Sequence, residues 1–330
     1  MKVSVIIPVK EINDYVMESH EYLRKVDYPD FEVLIFPDRD TGLALPGARI
    51  IATGPVGPAE KRDLAIEHAT GEILAFLDDD AYPRWDWLAR AVRRFADPEV
   101  AAVGGPAVTP DSDSRLQKAS GAVYESRLAS SRYTYRYFPT AAREVDDFPT
   151  VNLFVRKDVF ARLGGFDTAY WPGEDTKLCL DITRRLGLKI IYDPEVIVYH
   201  HRRKLFGPHL RQVSRYAFQR GLFVRTFPET SLRPGYFVPS AFLLFAALGL
   251  PASIVSGPAA VAYLSVLTVY SAAVVTASLA SALSYGSLAV GALTLPGIML
   301  THAFYGYHFI RGLLSGRRAP AGVRVEGTAN

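Results

Sequence analysis

From Tyr236 to Ile310 the chain contains no Asp, Glu, Lys or Arg, and this uncharged block limits the possible folds more than any other feature. Two short turn-type sequences divide it into three apolar stretches, Phe237–Val255, Ala259–Leu283 and Leu288–Ile310. A helix needs about 20 apolar residues to cross the hydrocarbon core of a bilayer, and each stretch is close to or above that length. Buried helices of a soluble protein are the alternative, but three uncharged runs in succession favour an all-α membrane region.

The basic residues around the block bear on its orientation. Arg225 and Arg233 precede it, and Arg311, Arg317 and Arg318 follow it. Because Lys and Arg are enriched in cytoplasmic flanks, we expect both ends of the block on the cytoplasmic side of the cell (inner) membrane. An even number of crossings meets that expectation, whereas three full crossings would place the two ends on opposite sides. We therefore expect a multi-pass region of two or three helices, and one of the three stretches is a candidate for a re-entrant or interfacial position. The third stretch is the most polar of the three.

The first 200 residues alternate between short β-branched runs and amphipathic stretches at helical spacing. Strands that alternate with helices at this interval predict an α/β, Rossmann-like fold with a largely parallel sheet. In such sheets the ligand site lies at the carboxyl ends of the strands. The predicted strands are Val3–Val9, Glu32–Phe36, Ile73–Leu77 and Val100–Val103, and the predicted helices are Asp14–Val26, Ala59–Ala69 and Trp85–Phe95.

Three consecutive aspartates, Asp78, Asp79 and Asp80, follow the apolar run Ile73–Leu77 directly. Adjacent like charges are costly unless a positive group lies among them. A hard divalent cation suits oxygen ligands, and Mg²⁺ or Mn²⁺ commonly bridges carboxylates to substrate phosphates. A solvated turn that caps the next helix is the alternative. The position of the three aspartates at the end of a predicted buried strand favours the metal site.

Composition excludes two other classes of protein. The net charge of +3 is too small to indicate a nucleic-acid binder. The single cysteine, Cys179, excludes an internal disulfide framework and fits a reducing compartment.

Five segments in this order make the chain similar to the inverting, family 2 type of glycosyltransferase with the GT-A fold, over about residues 1–205. The segments are SVIIPV at 4–9, LIFPD at 34–38, AEKRDLAIEHATGEILAFLDDD at 59–80, NLFVRKDVFARLGGFD at 152–167 and GEDTKLCLDITRRLG at 173–187. The resemblance implies a membrane-bound enzyme of bacterial polysaccharide or glycolipid synthesis that uses a nucleotide-diphosphate sugar, with a UDP-sugar favoured and a GDP-sugar second.

The resemblance also implies roles for individual residues. Pro8 and Val9 would line the base pocket, and Asp38 would accept a hydrogen bond from the base. The remaining residues would contact the nucleotide or hold Mn²⁺ or Mg²⁺: Lys61, Arg62, Asp78, Asp79 and Arg203 at the nucleotide, and Asp80, Asp78 and His200 at the metal.

Glu174 and Asp175 open an amphipathic helix after a Gly-containing loop. Carboxylates are favoured at a helix start by its dipole and free amides, so ordinary capping is one interpretation. The other is catalytic: a hydroxyl acceptor must lose its proton as it attacks the anomeric carbon, and a positioned carboxylate can take that proton. The resemblance implies the same role, with Asp175 as the base and Glu174 positioning the acceptor.

Residues 200–225 carry seven basic and no acidic side chains. Leu210, Val213 and Ala217 share one helical face, whereas Arg211 and Arg215 lie on another. This pattern predicts a helix in the headgroup layer of the membrane, attracted to anionic lipids. We also expect the two arginines to hold the phosphate of a lipid-linked acceptor. A nucleic-acid partner is not expected beside a membrane block.

The sequence therefore predicts a catalytic domain over residues 1–205, a basic interface segment over 206–235, a membrane region over 236–312 and a basic tail over 313–330. The acceptor is expected to be a hydroxyl of a lipid-linked sugar or glycan. Two other functions stay open: a polyprenyl-phosphate glycosyltransferase, which has little need of a base, and an inactive membrane scaffold or binding module that kept the fold.

Overall fold

The computed structural model of the chain describes residues 1–166 and 168–316. The strands are β1 Val3–Pro8, β2 Phe31–Phe36, β3 Ala48–Ile50, β4 Ile73–Leu77, β5 Ala81–Pro83, β6 Val100–Gly104, β7 Ala107–Val108, β8 Arg143–Val145, β9 Asn152–Arg156, β10 Lys189–Tyr192 and β11 Val198–His200. The helices are α1 Asp14–Leu23, α2 Pro58–Asp63, α3 Ala65–His68, α4 Trp87–Arg94, α5 Arg115–Glu125, α6 Arg127–Ser130, α7 Lys157–Leu163, α8 Glu174–Leu180, α9 Gly207–Thr226, α10 Pro228–Ser231, α11 Pro234–Val255, α12 Gly257–Ser284 and α13 Leu288–Leu314.

The main sheet has eight strands in the order β3-β2-β1-β4-β9-β6-β10-β8. The pairs β3–β2, β2–β1, β1–β4 and β6–β10 are parallel, as the alternating pattern predicts. Strand β9 is antiparallel to both β4 and β6, so the sheet is mixed rather than largely parallel. The reason is the path of the chain, because Asn152 pairs with Leu77 and β9 therefore enters the sheet at the edge where β4 ends. A small second sheet, β5-β11-β7, lies beside that edge.

Both faces of the sheet are covered, because side chains alternate along its buried strands. In β1, Val5 and Ile7 pack with Trp87 and the other apolar residues of α1 and α4. Ile6, between them, packs on the other face with Phe160 and the apolar residues of α2, α3, α7 and α8. The α/β prediction is confirmed. The predicted helix Ala59–Ala69 is two short helices, α2 and α3, that meet at Leu64.

Helices α11, α12 and α13 correspond to the three predicted apolar stretches. They contain 22, 28 and 27 residues, and each is long and apolar enough to cross a membrane. The predicted tail lies outside the described residues from Arg317 onwards.

Helix α9 shows the predicted amphipathic pattern, with Leu210, Val213 and Ala217 buried. Its buried face is covered by α13 rather than by lipid. The two helices approach so closely that a Cβ on Gly221 would lie 2.2 Å from the Phe309 carbonyl oxygen. The amphipathic pattern arises here because a second helix of the same chain supplies the apolar surface.

This close approach predicts that Gly312→Ala destabilises the protein. The added Cβ would lie 2.0 Å from the Phe218 carbonyl oxygen, and backbone cannot move aside as a flexible side chain does. We expect a loss of about 1–3 kcal/mol of unfolding free energy. Thermal unfolding in detergent measures it, with Gly316→Ala as the control because a Cβ there meets nothing within 4 Å. Equal unfolding midpoints for the two variants would contradict the described helix contact.

Candidate active site

A cavity of about 1060 Å³ begins at the carboxyl ends of β1 and β4 and reaches the apolar helices. Pro8 and Asp78 line the end nearest the sheet, which we call the acidic end. Tyr236 of α11 and Thr301 and Tyr305 of α13 line the opposite end, which we call the membrane end. One continuous space therefore connects the predicted ligand edge of the sheet to the apolar helices.

At the acidic end, Asp78, Asp80 and His200 each place one potential ligand atom within 4.8 Å of the others. All three are half-buried, and His200 Nε2 lies 3.0 Å from Asp80 Oδ1. The pairing of β5 with β11 sets this arrangement, since His200 stands opposite Ala81, the residue after Asp80. Two carboxylates beside an imidazole suit a divalent cation such as Mn²⁺ or Mg²⁺. The predicted metal residues therefore lie together.

Arg202 determines how His200 takes part in this group. Arg202 Nη1 lies 3.0 Å from His200 Nδ1, and Arg202 is itself held by the hydroxyl of Thr109. Because arginine only donates hydrogen bonds, Nδ1 is the acceptor and the ring proton is on Nε2, which donates to Asp80. A metal bound at Nε2 would require this Arg202 contact to break. In the described geometry His200 contacts Asp80 through Nε2, and the carboxylates of Asp78 and Asp80 are the two groups that could hold a divalent cation without a change in the Arg202 contact.

The pKa values of Asp79 and Asp80, two neighbours in the triplet, are shifted in opposite directions. Burial raises the pKa of Asp80, but the contact with His200 and the charge of Arg203 outweigh it and hold that pKa below its ordinary value. Burial, with the neighbouring charges of Asp80 and Asp78, raises the pKa of Asp79 to about 6. Asp79 and Arg203 both line the cavity.

Arg62 connects the acidic triplet to the predicted catalytic pair. Its Nη2 donates to Asp78 Oδ1 at 2.7 Å, and its Nη1 lies 3.4 Å from Glu174 Oε1. Arg62 is only 4% exposed and lines the cavity. A single buried guanidinium therefore holds two carboxylates that belong to distant parts of the sequence.

The structure does not bring three of the predicted nucleotide residues to the cavity wall. Lys61 is 2% exposed and donates to the Val9 carbonyl oxygen at 2.6 Å and to the carboxylate of Asp38. The ammonium is already engaged in joining the ends of β1 and β2, so it is not directed at a ligand. Val9 is buried in the core, and Asp38 is half-buried beside Lys61.

His201, the neighbour of His200, is directed away from the group formed by Asp78, Asp80 and His200. Its Nδ1 lies 2.6 Å from Asp113 Oδ1, and its Nε2 lies 2.8 Å from Glu18 Oε2. These two carboxylates outweigh the effect of burial and raise the pKa of His201. The imidazole therefore connects α1 to the loop that precedes α5.

Glu174 and Asp175 begin α8, as predicted, and both line the cavity. The Gly173 N–H donates to Glu174 Oε2 at 2.9 Å, so Glu174 caps the helix while it contacts Arg62. Burial is the largest influence on Asp175, and the charges of Glu174 and Asp147 add to it. Together they raise the pKa of Asp175 to about 7, against the opposing charge of Arg220. A carboxylate with this pKa can accept a proton near neutral pH.

Four buried residues next to Asp175 form a cluster that the sequence analysis did not identify: Arg136, Asp147, Thr176 and Arg220. Arg220 donates to the Asp147 carboxylate and to the Thr176 hydroxyl. Arg136 donates to the Asp147 carbonyl oxygen at 2.6 Å. Within the described residues, Arg136 Nε and Arg220 Nη1 have no hydrogen-bond partner. The sequence held one signal of this cluster: Arg220 is a basic residue on the apolar face of α9.

Comparisons with known proteins agree with this architecture. The model of the glycosyl transferase family group 2 matches residues 73–301. The pre-mycofactocin glycosyltransferase of Mycobacterium tuberculosis is 31% identical over 153 residues, which cover 45% of this chain and 31% of that protein. The glucosyl-dolichyl phosphate glucuronosyltransferase of Haloferax volcanii is 28% identical over 158 residues, which cover 46% of this chain and 48% of that protein. The chain thus matches about a third to a half of the length of these relatives.

A solved structure resembles nearly the whole chain. The mannosyltransferase PcManGT of Pyrobaculum calidifontis, determined with GDP-Man and Mn²⁺, aligns with a TM-score of 0.53 at 22% identity. The alignment covers 94% of this chain and 85% of that one, and it confirms the predicted fold. With more than two thirds of its length matched by the family model, this chain is a member of the glycosyl transferase family group 2 and carries a GT-A fold followed by apolar helices long enough to span a membrane.

Proposed function

We propose that the protein is a metal-dependent, inverting glycosyltransferase that moves a sugar from a nucleotide-diphosphate donor to a hydroxyl of a lipid-linked acceptor at the cytoplasmic face of the membrane. The observation that carries this proposal is the shared cavity. It has Asp78 and Asp79 of the triplet at one end, with Asp80 within reach of Asp78, the Glu174–Asp175 pair along its wall and apolar helices at the other end. Residues 1–205 are the catalytic domain in this proposal, and residues 236–312 anchor it.

The donor belongs at the acidic end. Asp78 and Asp80 would hold Mn²⁺ or Mg²⁺, which when bound neutralises negative charge on the diphosphate leaving group. Arg203 lines the same part of the cavity and offers a further positive charge to the phosphates. PcManGT was solved with GDP-Man and Mn²⁺, which supports a nucleotide-sugar donor and a metal here. A UDP-sugar remains our first choice of donor.

Asp175 would act as the base. Its carboxylate takes the proton of the acceptor hydroxyl while that oxygen forms the bond to the anomeric carbon and the diphosphate leaves from the opposite face of the sugar. This single displacement inverts the anomeric centre. Glu174 is bound to Arg62 and to the Gly173 N–H, so it fixes the start of α8 and thereby the position of Asp175.

The acceptor belongs at the membrane end. Arg211 and Arg215 line the cavity there, and behind them lie the unpartnered guanidinium nitrogens of Arg136 and Arg220. Buried donors without partners are costly, and a phosphate of a lipid-linked acceptor would satisfy them. The name of the glucuronosyltransferase relative states a dolichyl-phosphate-linked sugar, which supports the same class of acceptor. The basic cluster also suits a polyprenyl phosphate as the direct acceptor, so the role of Asp175 must decide between the two.

The first experiment is calorimetry of nucleotide binding to the full chain in detergent. We expect UDP or GDP to bind in the presence of Mn²⁺ and not in its absence, because the phosphates need the metal to approach the aspartates. Asp80→Ala should lose this binding, and Asp111→Ala, an exposed aspartate outside the cavity, should keep it. Failure of both nucleotides to bind under every metal condition would favour the inactive scaffold.

The second experiment concerns Asp175. Below pH 7 its carboxyl is protonated and cannot accept a proton, so the transfer rate should rise as the pH rises through about 7. Asp175→Asn should lower the rate by about 10²–10⁴-fold and leave nucleotide binding intact. Asp181→Asn, in the following turn and outside this cavity, is the matched control. A nearly normal rate in Asp175→Asn would indicate a phosphate acceptor.

The third experiment reverses charge at the membrane end with Arg211→Glu and Arg215→Glu. Both should reduce sugar transfer to an extract of membrane lipids, since they repel a phosphate, while metal-dependent hydrolysis of the donor continues. Lys204→Glu, just before the same helix, is the control, because Lys204 is exposed and does not line the cavity. Equal loss of transfer and hydrolysis would contradict a separate acceptor site.

A further inference from the structure

Helix α9 packs on the catalytic domain, where its Arg220 donates to Asp147, and it is counted with that domain here. Helix α13 is anchored to this domain at both of its ends. Just before it begins, the Tyr285 hydroxyl donates to Glu125 Oε1 of α5 at 2.7 Å. Just after it ends, Arg225 Nη1 of α9 donates to the Ser315 carbonyl oxygen at 3.0 Å. The 27 residues between them form a helix about 40 Å long. Both ends of this helix therefore lie against the same domain.

The middle of α13 is held by the same domain. His209 Nε2 of α9 lies 2.9 Å from the Thr301 hydroxyl, and His302 Nε2 lies 2.9 Å from the Leu128 carbonyl oxygen of α6. Gly297 packs against Val123 of α5 so closely that a Cβ would lie 2.8 Å from that side chain. Contact with the catalytic domain thus continues along the whole helix.

The burial of α13 divides it into two faces. Residues three or four positions apart are buried in its first half, and most are small: Val290, Thr294, Gly297 and Thr301. Large apolar side chains on the opposite side are exposed: Leu288, Met299, Phe304, Tyr307 and Leu314. The exposed apolar face therefore meets lipid, either as a crossing helix or as one that lies on the membrane, and the position of the domain decides between the two.

An upright α13 would be costly. A crossing helix separates its ends by about 30 Å of hydrocarbon, and α5 and α9 would have to accompany it. Arg211 and Arg215 of α9 and Glu125 of α5 would then enter the bilayer, where each charge costs about 2.5–3.5 kcal/mol or more at the centre. The charged surface of the domain therefore keeps α13 at the boundary.

Helices α11 and α12 differ, because among the described residues no hydrogen bond joins the turn between them to the catalytic domain; the side-chain bonds there are local. They form a hairpin in which the Tyr263 hydroxyl of α12 donates to the Ala246 carbonyl oxygen of α11 at 3.3 Å. Near the turn of the hairpin, Ile254 and Val255 are 79% and 85% exposed. This apolar tip projects away from the domain.

We propose that α11 and α12 cross the bilayer as a hairpin, and that α13 lies in the plane of the interface with its exposed apolar face on the lipid. The occupant of that face is the bilayer itself, because α13 packs directly on the hairpin, where Ser240 donates to the Gly306 carbonyl oxygen, and the hairpin exposes apolar side chains as well. Two crossings return the chain to the side on which it started. Arg233 and Arg311 then lie on the same side of the membrane, as basic flanks do. This topology does not depend on the proposed function.

Cysteine labelling in membrane vesicles of both orientations tests the topology. The native Cys179 is buried and its pKa is raised by that burial, so it gives an unreactive background. Single variants Ser256→Cys, Ser284→Cys and Gly316→Cys report the hairpin tip and the two ends of α13, and Asp30→Cys reports the catalytic domain. With a membrane-impermeant maleimide, we expect residues 284 and 316 to label from the same side as residue 30, and residue 256 to label from the opposite side.

Two other results would overturn the proposal. If residue 316 labels together with residue 256, α13 crosses the membrane and there are three spans. If residue 256 labels from the same side as residue 30, the hairpin does not cross. Ser287→Cys and Ser315→Cys form a second set for the ends of α13, in case a variant of the first set fails to fold, and thermal unfolding in detergent verifies folding of each variant.

Discussion

The buried guanidinium of Arg62 holds the site together, because it joins Asp78 after β4 to Glu174 at the start of α8. These carboxylates would repel one another across the cavity without a positive charge between them. Removal of one member of a buried ion pair leaves an uncompensated charge, which costs about 3–5 kcal/mol. The relative position of the acidic triplet and of the start of α8 therefore depends on one side chain that contacts Asp78 and Glu174.

Burial and the charged residues around Asp175 set its pKa. Carboxylates and arginines both line the cavity, and Asp175 is influenced by charges of both signs. Glu174 and Asp147 raise its pKa and Arg220 lowers it, so the balance is reached near neutral pH.

The sequence predicted the features that depend on local pattern. An apolar run that ends in aspartates indicated the end of β4, and the uncharged block indicated three helices. It could not predict contacts made by distant segments. Arg136, Asp147 and Arg220 meet only in the folded chain, and the partner of Lys61 is decided by how β1 and β2 end together. The apolar face of α9 shows the same limit, because a surface covered by lipid and one covered by α13 have the same sequence pattern.

The proposed position of α13 also explains how the acceptor end of the cavity is built. Thr301, His302 and Tyr305 of α13 line that end together with Tyr236 and Pro239 of α11. A helix in the interface plane places this opening at the depth of the lipid headgroups, where a phosphate and a sugar hydroxyl remain solvated. An upright α13 would place the opening in hydrocarbon, and polar groups would lose several kcal/mol on entering it. The two proposals therefore support each other, since a lipid-linked acceptor reaches Asp175 without its polar part leaving the headgroup layer.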